Sequence, residues 1–272
     1  MPNTYKMIQR AQEAQLDEDE KNVAYIRGFT ANDQITRVMK DIYMLKKPIG
    51  IPLNKKNVIQ PFEDPSPIEF ICQKNDCSLF LFTSHNKKRP NNLVMGRLFD
   101  GHILDMVEFG VELYKAIEDF QARISLGVKP ILIFSGEPFE TDFDMIRIKN
   151  LLNDFFLGPR PTSIRVKGIE HVIMFVAHNG RIFMRPYMIE QKKVSGSDKP
   201  VATCHEMGPQ LDLVVRRTRI ANHEHFGQAC KQKPKANKST KNKNVSRDEL
   251  GTTHGKIHIG RQDFGKMYNV KY

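Results

Sequence analysis

The sequence predicts a mixed α/β fold built in two similar rounds, and three observations lead there. Short apolar runs of strand length alternate with stretches whose apolar residues recur every three or four positions. Two dipeptides suited to tight hairpins, Asp100-Gly101 and Asn179-Gly180, each sit between such runs. With 272 residues, 40% of them hydrophobic, the chain has material for one large domain or two small ones.

The elements follow in order. Tyr5 to Asn22 is rich in Gln, Glu, Asp and Lys and suits an exposed helix, so residues 1–27 are assigned to an N-terminal helical arm. Behind a possible Asn32 cap, Ile35, Val38, Met39, Ile42 and Tyr43 fall at helical spacing, and Pro48 closes that helix. A turn region with Pro61, Pro65 and Pro67 precedes a short helical piece near Ile68 to Gln73. Cys77 to Thr83 reads as a buried strand, and the loop Ser84 to Asn92 leaves its end. Leu93 to Phe99 and Ile103 to Val111 form a strand pair about Asp100-Gly101, with a helix open as the alternative for the second segment.

The second round opens with the strand Pro130 to Ser135. Met145, Ile148, Leu152 and Phe155 then mark an amphipathic helix that stops at Gly158-Pro159. Strands are predicted at Ser163 to Val166, Val172 to Ala177 and Arg181 to Ile189. A final strand, Leu211 to Arg217, runs straight into a tail. The domain is placed at 28–220 and the tail at 221–272.

Charge divides the chain sharply. Residues 216–272 hold 14 of the 42 Lys and Arg but 4 of the 31 Asp and Glu, leaving 28 cations against 27 anions in residues 1–215. A near-neutral body thus carries a cationic tail, which displaces counterions from a polyanion such as nucleic acid. A solubilising or import segment is the plainer alternative. In the tail, Lys231, Lys233, Lys235, Lys238, Lys241 and Lys243 form a low-complexity stretch that reads phosphate without sequence preference. Near 251–259 the pattern changes to Gly251-Thr-Thr-His-Gly-Lys-Ile-His-Ile259, a short docking motif for a protein or RNA groove. In the body, Lys87, Lys88 and Arg89 leave a buried strand on a segment stiffened by Pro90. Arg216, Arg217 and Arg219 cluster at the tail's root. The competing readings are a solvated basic turn for the first group and protection of an edge strand for the second.

Other chemistries find little footing. Glu137, Glu140, Asp142 and Asp144 are the set a magnesium-dependent nuclease would recruit, yet they flank the start of a helix, where capping explains them better. His223, His225, Cys204 and Cys230 lack the tight paired spacing of a zinc site. Cys72 and Cys77 read as small buried hydrophobes, and the four cysteines without a signal segment suit a reducing compartment. No phosphate-cradling glycine motif occurs, and no apolar run has the length of about 20 residues that crosses a bilayer.

Four ungapped blocks resemble the Brix-domain family of ribosome assembly factors, most closely its ribosome production factor branch. They are Asp76 to Arg97, Lys129 to Phe134, Asn179 to Arg185 and Glu206 to Thr218, with Gly251 to His258 resembling that branch's ending. The resemblance implies a non-enzymatic, cofactor-free nucleolar protein whose two α/β halves each look like an anticodon-binding domain. It implies an obligate heterodimer with the regulator of ribosome synthesis protein. The pair would bring 5S rRNA, with its bound ribosomal proteins, to the large-subunit precursor particle, with no membrane involved. The rRNA contacts would fall on Lys87 to Arg89, Arg216, Arg217, Arg219 and the tail lysines. A metal-dependent RNA-processing nuclease is the alternative reading.

Overall fold

A computed structural model describes residues 21–158, 164–165, 168–193, 200–231 and 244–260. The arm predicted for Tyr5 to Asn22 lies almost wholly outside the described residues, as do Ser163 and Val166 of the strand predicted there; Ile164 and Arg165 between them are not in a strand. Of these, residues up to 231 form one compact unit and those from 244 a second, small one.

The larger unit is organised by a ten-stranded sheet. In chain order its elements are β1 (Val23–Gly28), α1 (Asp33–Lys46), β2 (Ile51–Asn57), α2 (Ser66–Lys74), β3 (Leu79–Ser84), β4 (Asn92–Phe99) and β5 (His102–Lys115). Then follow β6 (Ile131–Ser135), the short α3 (Pro138–Thr141), α4 (Phe143–Phe156), β7 (His171–His178), β8 (Arg181–Lys193), β9 (Pro200–Glu206), β10 (Gln210–Arg219) and α5 (His223–Ala229). The strands are ordered β2-β1-β3-β4-β5-β10-β8-β7-β6, and β9 pairs with the far part of β8.

Two similar halves are visible in this order. β1 and β3 are parallel neighbours, followed by antiparallel β4 and β5; β6 and β7 are parallel neighbours, followed by antiparallel β8 and β10. The halves join where β5 and β10 run antiparallel, from Gln210 opposite Lys115 to Arg219 opposite Met106. The second half has no counterpart of β2 and α2 among the described residues.

Local chemistry explains most of the elements. Asn32 caps α1 by accepting from the Ile35 amide at 2.9 Å, as its position predicts. Asp142 caps α4 through the Asp144 amide at 3.1 Å. Asp100 and Gly101 take φ of 52° and 77°, and Asn179 and Gly180 take 49° and 72°, which turns both hairpins the way twisted strands need. This settles Ile103 to Val111 as strand. α1 and α4 pack on one face of the sheet, where Ile35, Val38 and Ile42 meet Tyr25, and Ile148, Leu152 and Phe155 meet Phe175. The Tyr25 and Phe155 rings lie edge to face with their centroids 6.4 Å apart and couple the halves. α2 covers the opposite face of the first half alone, over Phe80, Phe82 and Val94.

A buried polar junction adds to this coupling. Arg97 on β4 donates to Asp105 on β5 at 2.9 Å, and to Asn150 and Asp154 on α4 at 2.6 Å each. Asp105 in turn accepts from the Ala221 amide at 2.8 Å.

The predicted passage of the last strand straight into the tail is corrected. After β10 the chain turns at Asp105 and forms α5, whose Phe226 ring faces the Arg147 guanidinium at 3.4 Å and that of Arg97 at 5.1 Å. An aromatic side chain beside two guanidinium groups holds that helix on the body. In the small unit, β11 (Val245–Arg247) and β12 (Thr253–Gly255) form a hairpin. Leu250, Ile257 and Ile259, flanking or within the segment expected to dock, are all exposed.

Candidate nucleic-acid interface

Two basic clusters separated by more than a hundred residues meet on the sheet face opposite α1 and α4. Arg89 approaches Glu108 Oε1 with its Nε at 3.7 Å, and Arg217 Nε donates to Glu108 Oε2. Arg216 donates to Asn92 Oδ1 at 3.3 Å. The cause lies in the β5/β10 ladder, where a bulge between Val215 and Arg217 lets two consecutive arginines face the same side. Arg216 then lies across Gly110, whose missing side chain leaves the space; a Cβ there would collide with the guanidinium.

Glu108 is fully buried, so removing either partner would leave a charge away from water. Its carboxylate therefore acts as an anchor that orients Arg217 through a hydrogen bond and attracts Arg89 through charge. Among the described residues neither guanidinium makes a further hydrogen bond or ion pair, and their remaining N–H groups are open to a ligand. Three arginines beside one carboxylate leave the patch cationic.

Lys87 and Lys88 stand exposed at the tip of the loop between β3 and β4. Asn86 and Arg89 exchange backbone hydrogen bonds of 3.1 and 3.0 Å below the tip. Side-chain hydrogen bonds hold the base of this loop. His85 Nδ1 accepts from the Asn91 amide at 3.1 Å and lies 3.0 Å from Asn32 Nδ2. Asn32 also donates to Asn91 Oδ1 at 2.9 Å, and Asn91 donates to Gln34 at 3.1 Å. The residue that caps α1 thus fixes the base of the basic loop.

Arg219 is exposed at the end of β10, opposite Met106, and Lys231 is exposed after α5. Lys233, Lys235, Lys238, Lys241 and Lys243 lie outside the described residues. The edge-protection reading of the arginines fits only their position, since β8 pairs with β10 over Leu211 to Val214 and stops short of them. The side chains of Arg216 and Arg217 instead run over the face to Asn92 and Glu108.

The remaining candidates go their own ways. Asp142 caps α4, and Asp144 accepts from the Thr218 hydroxyl at 3.1 Å. Among the described residues no three His, Cys, Asp or Glu side chains gather where they could hold a metal ion. Cys204 and Cys230 are exposed, and His223 and His225 lie on α5. Cys72 and Cys77 are buried, and burial pushes their thiols up to about 12 and about 11.

Sequence reasoning missed Glu108, Asn32 as a loop anchor, and His85. One signal was present: Glu108 is a lone charge within the apolar run Met106 to Val111, and a charge on a buried strand implies a partner.

A family model for the Brix domain matches residues 28–217. The chain belongs to the Brix domain family. Among relatives, the human ribosome production factor 2 homolog is 47% identical over 251 residues, which is 92% of this chain and 81% of the relative. The Drosophila melanogaster homolog of the same name is 42% identical, covering 96% and 82%. A ribosome biogenesis protein of Saccharomyces cerevisiae is 35% identical, covering 95% and 78%. In this Brix-domain protein the family match spans both halves, and it includes β3, β4 and nearly all of β10, which carry the arginine patch.

Proposed function

We propose that this protein is a non-enzymatic ribosome biogenesis factor that grips rRNA backbone and a partner chain, and so helps to seat the 5S ribonucleoprotein on the large-subunit precursor in the nucleolus. The observation that carries the RNA part is the convergence of Arg89, Arg216 and Arg217 beside the exposed Lys87 and Lys88. Guanidinium groups held by a buried carboxylate present donors to phosphate with little further loss of entropy. Structured RNA offers mainly phosphates and 2′-hydroxyls to such a surface. The relatives' names support the assembly role.

The partner chain, the regulator of ribosome synthesis protein, docks on the second half. There the face that α2 covers in the first half shows Ile131 and Ile133, each about two-fifths exposed at 40% and 42%, beside the half-buried Met174, Val176 and Phe183. Among the described residues β6 is also an edge strand, with no neighbour in the place that β2 takes beside β1. An added strand and helix from the partner would repeat the architecture of the first half.

The test is binding of a 5S rRNA transcript by filter retention across a salt series. Lys87→Glu with Lys88→Glu should weaken binding and reduce the salt slope by about 0.9 for each phosphate that is no longer neutralised. Both side chains are exposed, so stability should stay within about 0.5 kcal/mol of the parent. Unchanged affinity and slope would remove this loop from the interface.

A further inference from the structure

Parallel strands β2, β1 and β3 lie side by side, and the chain leaves β1 for α1 on one face of the sheet and reaches β3 from α2 on the other. The carboxyl ends of strands at such a reversal are where open α/β sheets form crevices. A crevice of about 270 Å³ is found there, near the low end of the size range of ligand pockets. Phe29 follows β1 and Asn57 ends β2, while Asn86, Arg89 and Arg217 line another part of the wall, to which Glu63 contributes one carboxylate.

We propose that this crevice takes one unpaired nucleotide of a bound RNA, its base against Phe29 and its phosphate on the arginines. This rests on the RNA-binding reading above and goes beyond it, since backbone contacts alone need no extruded base. Several features of the crevice serve that purpose.

Phe29 is 62% exposed although it lies next to a strand whose first four residues are fully buried. Its backbone is nonetheless fixed, because its amide donates to the Asn57 carbonyl at 2.8 Å. The preceding Gly28 lets β1 end directly against Thr83 and Phe82, where any Cβ would clash. An exposed aromatic ring on a rigid backbone is a stacking surface whose ordering cost has already been met by folding. Lys56 stands 5.9 Å from the ring centre, so a cation accompanies the platform.

On the opposite wall, Arg217 lies over the Phe62 ring at 4.1 Å while Glu108 holds its Nε. The Arg217 guanidinium thus has a fixed orientation, and Arg89, paired with the same carboxylate by charge alone, adds a second cation beside the crevice. Asn57 and Asn86 supply amide donors and acceptors for base edges. Cations, an aromatic platform and amides within one concave site match the way proteins hold unstacked bases.

The experiment compares two RNA hairpins of equal length, one fully paired and one with a single bulged adenosine, against the full chain. The parent should bind the bulged hairpin more tightly. Phe29→Ala should lose on the order of tenfold on the bulged hairpin, the scale of one base–aromatic stack, and nothing on the paired one. Phe29→Trp should restore the difference, and thermal unfolding of both variants should match the parent. Equal binding of both hairpins by the parent overturns the proposal, as does a Phe29→Ala variant that still discriminates. Either result leaves backbone binding intact. Failure of the parent to bind either RNA would instead sink the RNA-binding reading itself. A crevice that serves a protein segment would show as Phe29→Ala losing partner-chain binding with RNA discrimination absent from the start.

Discussion

Arg97→Ala tests whether the buried junction holds the two halves together. The Arg97 side chain is 7% exposed and makes charge-assisted hydrogen bonds to Asp105 and Asp154. Its removal affects the two carboxylates unequally. Asp154 is 23% exposed and retains Lys21 at 3.0 Å, so water and lysine compensate it. Asp105 is 2% exposed and would keep the Ala221 amide as its remaining hydrogen-bond donor among the described residues. Loss of one partner of a buried pair costs about 3–5 kcal/mol, and the Asp105 side should supply most of it. For a unit of this size that corresponds to a fall in Tm of roughly 6–20 °C. The assay is equilibrium urea unfolding followed by circular dichroism, with Arg97→Lys and Arg97→Ala/Asp105→Ala as companions. Lysine keeps the charge but not the fork of donors, so it should recover only part of the loss. The double variant should be less destabilised than the sum of its single changes. A loss below about 1 kcal/mol for Arg97→Ala would refute the reasoning.

Two further outcomes are expected. His171 is fully buried, and among the described residues neither ring nitrogen has a hydrogen-bond partner; burial lowers its pKa from 6.5 to about 4. Below pH 6.5 the unfolded ring takes up a proton that the native ring refuses. Stability should therefore be full above that pH and fall toward pH 4 by up to about 3 kcal/mol, and His171→Leu should remove this component when its pH profile is subtracted from the parent's. Deletion of residues 231–272 should lower RNA affinity and flatten the salt dependence more than Lys87→Glu with Lys88→Glu does, because it removes more cations. An unchanged slope would exclude the tail from the RNA interface.

Much of the architecture could be read from local pattern. The α1 cap at Asn32, both hairpins, and the amphipathic α4 depend on residues within a few positions of one another, and all appear where the sequence places them. The elements that escaped notice did so for physical reasons. β1 is buried on both faces between parallel neighbours, so it shows no polar alternation across its short run. β2 is an edge strand carrying Pro52, Lys55 and Lys56, residues that deter pairing and read as loop. α5 looked like tail because its one anchoring side chain, Phe226, makes sense only beside Arg97 and Arg147.

The candidate site divides along the same line. By itself the sequence determined that cations are in surplus toward one end, that Lys87 to Arg89 leave a strand, and that Arg216 to Arg219 form a second cluster, since charge and spacing are written in the chain. Only the tertiary structure decided that the clusters share one buried carboxylate and border one crevice. That outcome depends on the pairing of β5 with β10 and on a bulge that sets consecutive arginines on the same side. In a sheet a slip of one residue carries every side chain to the opposite face, and no local pattern around Arg217 specifies which strand, 109 positions away, brings Glu108 beneath it.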